Sequence, residues 1–291
     1  MLHAALGYNG AVSAPHRAAA LAGRDVLCDG GTAIEAMVAA AATIAVVYPH
    51  MNGIGGDGFW LIKQPGKVPV GIFAGGQAAQ LATPEWYAAR GHVRAIPARG
   101  GLAALTRTLR HLSDEGLRAY YDGPLARTHA AYLEANGSPL RAEDFSAYTA
   151  EKVTPLSLET SQGRLYNMIP PTQGVSSLMI LGLFDRLGVT EGESFDHIHG
   201  LIEATKQAFI RRNAELGDHT HMAIPAQDWL TDAALDLLAT RIDRTKALPW
   251  PYEPKKGDTI WMGACDADGT VVSFIQSVFW EFGSGLTCPE T

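Results

Sequence analysis

Apolar residues recur at helical spacing from Arg17 to Asp29 and again from Thr32 to Val47, and the second run is built almost wholly of alanine, valine and isoleucine. The pattern predicts two helices separated by Gly30-Gly31. Alternation follows: Gly58 to Lys63 and Val68 to Phe73 read as paired strands around the turn Gln64-Pro65-Gly66. Ala103 to Ala131 reads as two helices broken near Asp122-Gly123-Pro124, and Ser176 to Leu187 and Phe195 to Leu216 are helices by periodicity. Near the end, Thr259 opens a strand-like run, Asp266 to Gly269 has turn chemistry, and Val271 to Gln276 is an apolar strand. Helices and strands mixed in this way, with no internal repeat, predict an α/β (α+β) chain.

Composition narrows the class. With 291 residues, 47% hydrophobic and 18% charged, the chain can bury a substantial core as one large or two closely joined domains. A net charge of −7 argues against a nucleic-acid partner, and the densest basic pairs, Arg211-Arg212 and Lys255-Lys256, read as solvated surface. Cys28, Cys265 and Cys288 lie far apart without a CxxC pair, which fits free thiols in a reducing compartment. Ala33 to Tyr48 is the longest apolar run, but it is too short to span a bilayer and carries Glu35, so it reads as a buried helix and no membrane partner is expected. The opening MLHAALGYNG shows no cationic stretch ahead of an apolar core. The cytoplasm is therefore the default location.

Candidate chemistry centres on Thr259. A threonine hydroxyl is a poor nucleophile until a base takes its proton, and the closest base a chain can supply is its own α-amino group, freed when the preceding peptide bond is cut. That amine titrates at about 7.7–8.0 in reference peptides. Cleavage between Asp258 and Thr259 would thus create nucleophile and base in one residue, the logic of the N-terminal nucleophile hydrolases. Pattern alone favours the plainer reading, that the residue starts a strand after a charged loop. The cluster Gly53-x-Gly55-Gly56-x-Gly58 follows a helix and opens a strand, the reverse of a dinucleotide loop, and is predicted to permit tight turns beside a substrate pocket. His197-x-His199 and His219-x-His221 lack a nearby cysteine or carboxylate set with zinc spacing, so they read as surface or capping residues. No metal and no cofactor is expected.

Five collinear motifs add a resemblance. Ala11 to Ile62 carries an early Ala-x-x-Pro, a helix ending in Gly-Gly, an alanine-rich helix and Pro-x-x-x-Gly-Ile-Gly-Gly. Tyr121-Asp122-Gly123-Pro124-Leu125-Ala126 with Ala142-Glu143-Asp144-Phe145, the Pro-Pro stretch from Met168 to Gly188, and His199-x-x-x-Glu203-Ala-x-Lys206 within His199 to Asp218 come next. Last is Thr259 with Asp266 to Gly269, Val271 to Ser277 and Phe282 to Gly285. Together they resemble the γ-glutamyltransferase family, and the wording around Thr259 is similar to its oxamate amidohydrolase-like subgroup.

The resemblance implies an αββα sandwich of the N-terminal nucleophile hydrolase type. It implies a large-subunit-like region, 1–258, and the start of a small-subunit-like region, 259–291, which stay associated after autocatalytic cleavage of a zymogen; a homo-oligomer stays open. Thr259 is implied as nucleophile and Ser277, eighteen residues on, as the hydroxyl supporting it. Where the family places an arginine for the substrate carboxylate, this chain has Gly75 and Gly76, with Gln77 next, and Phe279 stands where an asparagine contacts the substrate. The implied activity is hydrolysis of a small acid amide such as oxamate. The alternatives are a glutathione hydrolase or γ-glutamyltransferase, with Arg94 or Arg99 supplying the carboxylate contact, and a non-catalytic or unprocessed fragment of the fold. The family's glycine-pair oxyanion hole would lie beyond Thr291, so the chain reads as incomplete at its C-terminus, and it is also short after Gly100-Gly101.

Overall fold

The computed structural model describes residues 7–90, 102–250 and 259–291. In chain order the elements are β1 (Gly10–Ser13), α1 (Arg17–Cys28), α2 (Ala33–Val47), β2 (Asp57–Lys63), β3 (Val70–Ala74), α3 (Pro84–Ala88), α4 (Leu102–Glu115), α5 (Pro124–Ala135) and α6 (Ala142–Ala147). Then follow β4 (Glu151–Val153), β5 (Leu156–Thr160), β6 (Gly163–Asn167), α7 (Gly174–Arg186), α8 (Phe195–Glu215), α9 (Asp232–Ala239), β7 (Ile260–Asp266) and β8 (Val271–Ser277). The main sheet has the order β1-β7-β8-β2-β3-β4, and β5 pairs with β6. The pairs β1–β7, β7–β8, β8–β2 and β5–β6 are all antiparallel.

Two compact units emerge. The first holds the described residues of 7–66, 72–151 and 259–291, and the second 67–71 and 152–250. The chain after position 258 is therefore interleaved with the N-terminal region: β7 and β8 lie between β1 and β2 in one sheet.

In the first unit, α1 and α2 cover one face of the sheet. Ala33, Met37, Ala40 and Ile44 of α2 are fully buried against Ile260, Met262, Ala264, Val272 and Phe274. Small side chains on α2 let the helices approach closely: a Cβ on Gly23 of α1 would lie only 2.9 Å from the carbonyl oxygen of Ala36. Glu35, the charge inside the apolar run, is the capping carboxylate of α2. Its Oε2 accepts the Thr32 N–H at 2.8 Å and the Thr32 hydroxyl at 2.9 Å, which together hold the carboxyl below its usual range, while Thr32 Oγ1 accepts the Glu35 N–H at 3.3 Å.

The second unit packs α7, α8 and α9 over the β5–β6 hairpin, around a core that includes Leu178, Met179, Leu183, Leu235 and the fully buried Trp229.

The periodic segments fold nearly as the sequence predicts, with two differences. The stretch expected as two helices from Ala103 to Ala131 breaks earlier, because Gly116 takes φ +87° and a short 3-10 turn, Leu117–Tyr120, intervenes before Pro124 starts α5. The strand expected from Val68 starts at Val70, after Pro69, which has no N–H for a ladder. No helix among the described residues is long and apolar enough to cross a membrane.

The β7–β8 hairpin is tied to the helical layer by Asp266. Its Oδ2 accepts the Ala33 N–H at 2.9 Å, at the start of α2, and its Oδ1 accepts the Thr270 N–H at 2.8 Å, closing the turn. Partial burial raises this carboxyl, but the main-chain donors outweigh it and the net shift is downward. Because the folded pKa lies below the unfolded one, the contribution is present above the unfolded value and fades as pH falls through the folded value, below about 4. Asp266→Ala is expected to cost about 1–3 kcal/mol at neutral pH, measured by denaturant unfolding, and the difference from the parent should shrink towards pH 3.

Candidate active site around Thr259

Strand alternation sorts the chemistry onto one face of the main sheet. Ile260 pairs with Gln276, and both point to the helices; Gln276 Nε2 donates to Asn52 Oδ1 at 2.9 Å, and Asn52 Nδ2 donates to the Tyr48 carbonyl at 2.7 Å. The neighbours Thr259 and Ser277 therefore face the other way. Their hydroxyl oxygens lie 3.0 Å apart, within hydrogen-bond reach. Ser277 is only 4% exposed, and its Oγ also accepts the Phe279 N–H at 2.9 Å. That bond occupies one lone pair of Ser277 and leaves its proton free to be directed at Thr259.

Asp57 completes the row. It pairs across β2–β8 with Ser277, and its Oδ1 accepts the Gly76 N–H at 2.8 Å. The carboxylate thus ties the Gly75-Gly76 turn to the strand beside Ser277. A Cβ on Gly75 would lie 2.8 Å from the Phe73 ring and 3.3 Å from the Phe59 ring, so the turn packs on aromatic side chains. Gln77 is exposed beyond it.

Glycines let two loops close on the end of β8. A Cβ on Gly56 would meet the Ser277 carbonyl oxygen at 2.0 Å, and one on Gly283 would meet Val278 Cβ at 3.1 Å. The Val278 N–H donates to the Met51 carbonyl at 3.4 Å and the Phe282 N–H to the His50 carbonyl at 2.7 Å, joining the glycine loop after α2 to the turn after β8. Phe279 holds φ +66° with its ring 80% exposed. It contributes its main-chain N–H to the pair, and its ring projects outward.

A Cβ on Gly55 would lie 2.5 Å from the Tyr120 hydroxyl, so Tyr120 packs directly on the glycine loop; burial pushes its pKa up to about 12. Tyr148 is likewise raised to about 12, by burial first and then by Tyr121, Asp57 and Glu151, so both phenols are neutral at ordinary pH.

Of the residues expected from sequence, Thr259 and Ser277 meet, and Gly76 joins their row through Asp57. Gln77 and the Phe279 ring make no contact in that row. Asp258, Arg94 and Arg99 lie outside the described residues. Asp57 and Tyr120 were not foreseen; the signal available for Asp57 was its place as the one charged residue inside the glycine cluster. Among the described residues no group of three or more His, Cys, Asp or Glu could hold a metal. The paired histidines make local contacts instead: the Glu193 N–H donates to His197 Nδ1 at 3.1 Å, and His219 and His221 flank Asp218.

The sequence profile of gamma-glutamyltranspeptidase matches residues 19–104 and 102–291. The chain belongs to the gamma-glutamyltranspeptidase family. The match comes in two pieces that meet at 102–104, where a shortened segment was expected. The chain is 38% identical to the oxamate amidohydrolase proenzyme of Klebsiella pneumoniae, covering 97% of this chain and 69% of the relative. It is 28% identical to the glutathione hydrolase-like YwrD proenzyme of Bacillus subtilis, covering 98% of this chain and 70% of the relative. Among solved structures, a cephalosporin acylase from Bacillus halodurans superposes with a TM-score of 0.84 at 25% identity, covering 98% of this chain and 68% of that one. The Helicobacter pylori gamma-glutamyltranspeptidase superposes with a TM-score of 0.72 at 19% identity, covering 86% and 95%, and shows the shared fold. The family places this chain among enzymes of the N-terminal nucleophile hydrolase fold.

The contact between Gly56 and Ser277 is testable. Gly56→Ala cannot be accommodated without moving backbone against the Ser277 carbonyl, and is expected to cost about 1–3 kcal/mol in a denaturant titration. A crystal structure of the variant should show the Thr259–Ser277 oxygen distance lengthened.

Proposed function

We propose that this protein is an amide hydrolase that becomes active by autocatalytic cleavage before Thr259 and acts on a small acid amide such as oxamate. The observation that carries the reading is the 3.0 Å approach of the Thr259 and Ser277 hydroxyls at the head of β7. In cleavage, Thr259 Oγ adds to the carbonyl carbon of residue 258 and the peptide C–N bond breaks, which frees the Thr259 α-amine; water then hydrolyses the resulting ester to a carboxylic acid at residue 258 and the Thr259 hydroxyl. In turnover that amine takes the Thr259 proton, Oγ attacks the substrate amide, ammonia leaves with a proton, and water hydrolyses the acyl-enzyme. Ser277 donates to Thr259 Oγ and holds it in place. The large and small chains stay together because β7 and β8 are hydrogen-bonded between strands of the N-terminal region.

The substrate class is supported by what surrounds the row. Gly75, Gly76 and Phe279 offer no side-chain cation or amide to grip an amino-acid head group, whereas a short amide needs less of such grip. The 38% identity to an oxamate amidohydrolase proenzyme supports the same class. Glutathione hydrolysis is the second reading, favoured by the 30% identity to the Escherichia coli glutathione hydrolase proenzyme, which covers 65% of this chain.

Thr259→Ala is expected to leave the intact proenzyme as a single chain with no hydrolysis, and Ser277→Ala to slow both steps while unfolding at nearly the parent temperature. Intact mass and an ammonia-release assay check this; a Thr259→Ala protein that still splits at position 258 would remove Thr259 from the mechanism.

For specificity, the intact enzyme should hydrolyse oxamate at least tenfold better than glutathione in kcat/KM, since an absent charge-assisted contact is worth roughly 1.5–3 kcal/mol. Gly75→Arg alone should gain little glutathione activity, because the new Cβ meets Phe73 at 2.8 Å. Gly75→Arg with Phe73→Ala should gain more. Efficient glutathione turnover by the parent enzyme would favour the second reading.

A further inference from the structure

Three side chains stand in line on one face of the main sheet. Thr259 precedes β7, Ser277 ends β8 and Asp57 opens β2; in the antiparallel register Ser277 lies opposite Asp57, and Ile260, next to Thr259, lies opposite Gln276. Directly opposed side chains share a face. The first step of the line is the 3.0 Å between the Thr259 and Ser277 hydroxyl oxygens, and the second is one strand spacing, about 4.7–4.9 Å.

The far end of the line is an acceptor with capacity left over. Asp57 is partly buried, and its Oδ1 accepts the Gly76 N–H at 2.8 Å. An ionised carboxylate has about four acceptor positions and no donor. Among the described residues no second hydrogen bond and no ion pair reaches Asp57. Its charge is felt nearby: Tyr148 is pushed up to about 12 by burial first and then by Tyr121, Asp57 and Glu151, so that phenol stays neutral and has no charge to offset the carboxylate.

A small acid amide has one anionic end and one N–H end. Facing a carboxylate, the acid end is repelled and the amide end is attracted. The lengths agree as well: an attacked carbonyl carbon about 3–3.5 Å from Thr259 Oγ, an amide C–N bond of about 1.33 Å and an N–H···O contact of about 2.7–3.2 Å together cover roughly 7–8 Å. That is about the reach from Thr259 across Ser277 to the β2 strand.

We infer that Asp57 is a substrate-binding residue that recognises the amide nitrogen: its Oδ2 accepts an N–H of the amide whose carbonyl Thr259 attacks, so the site selects primary amides and turns their acid end away from β2. This rests on the amide-hydrolase reading above. In acylation the Oγ–C bond forms and the C–N bond breaks, and the nitrogen leaves as ammonia with the proton that the Thr259 amine took from Oγ. Asp57 exchanges no proton. As the nitrogen gains that proton it becomes more positive, and a fixed carboxylate beside it stabilises the charge as it develops.

The test uses cleaved enzyme, with cleavage checked by intact mass, and compares oxamate with monomethyl oxalate, an ester that gives the same acyl-enzyme but has no N–H. Asp57→Asn keeps an oxygen for the Gly76 N–H and presents an amide donor where the second acceptor was. It is expected to lower kcat/KM for oxamate about tenfold or more, because a charge-assisted hydrogen bond is lost, and to leave that for the ester within about twofold. Damage to the turn or the fold lowers both substrates alike, so an equal fall for amide and ester overturns the inference, and so does an unchanged oxamate value. A measurement on the parent alone covers a variant that fails to fold or cleave: N,N-dimethyloxamate, an amide without an N–H, should be hydrolysed about tenfold more slowly than oxamate or worse, and comparable rates overturn the inference. A parent enzyme that hydrolyses neither oxamate nor the ester instead overturns the amide-hydrolase reading, and this role with it.

Discussion

The antiparallel register of β7, β8 and β2 is the constraint on which the site depends. Because side chains alternate across a strand, Gln276 and Ser277 must face opposite ways. Gln276 turns into the helical layer and is fixed there by Asn52, which in turn is fixed by the Tyr48 carbonyl. A slip of one residue would carry Gln276 out of that layer and drive Ser277 into it, at the cost of a buried unpaired amide. The buried polar pair on one face thus holds the hydroxyl pair on the other.

Close backbone approach is the second requirement. Gly56 sits against the Ser277 carbonyl and Gly55 against the Tyr120 hydroxyl, so the loop from α2 to β2 lies where no larger side chain would fit. Asp57, the first residue of β2, accepts the Gly76 N–H with one carboxylate oxygen, fixing the turn that carries Gly75. Among the described residues, shape and fixed main-chain groups define this end of the row.

The second unit works by different means. Its core is apolar, around Trp229 and the α7–α8 pair, and His199, Glu203 and Lys206 of α8 bond to main-chain groups of Asp243 and Leu248. The same sequence motif that resembles the family's therefore has two physical tasks: Ala204 packs in the core, and Glu203 with Lys206 holds the N–H and carbonyl of Leu248.

Much of this was legible in the chain itself. Helical and strand periods marked α1, α2, α8, β7 and β8, and the Asp-x-x-Gly turn fixed the β7–β8 hairpin, because these depend on neighbours within a few residues. The family motifs marked Thr259 and Ser277 as partners eighteen residues apart. The sequence was silent on Asp57, on the grip on Leu248 and on the packing of Tyr120 against Gly55. Each of these joins positions far apart in the chain, 19 residues between Asp57 and Gly76, 45 between Glu203 and Leu248 and 65 between Gly55 and Tyr120. Local pattern carries no record of such pairings, since a charged residue in a loop or on a helix face looks the same whether water or a distant peptide satisfies it. The tertiary structure decides between those outcomes by excluding water from one side and bringing a main-chain donor to the other.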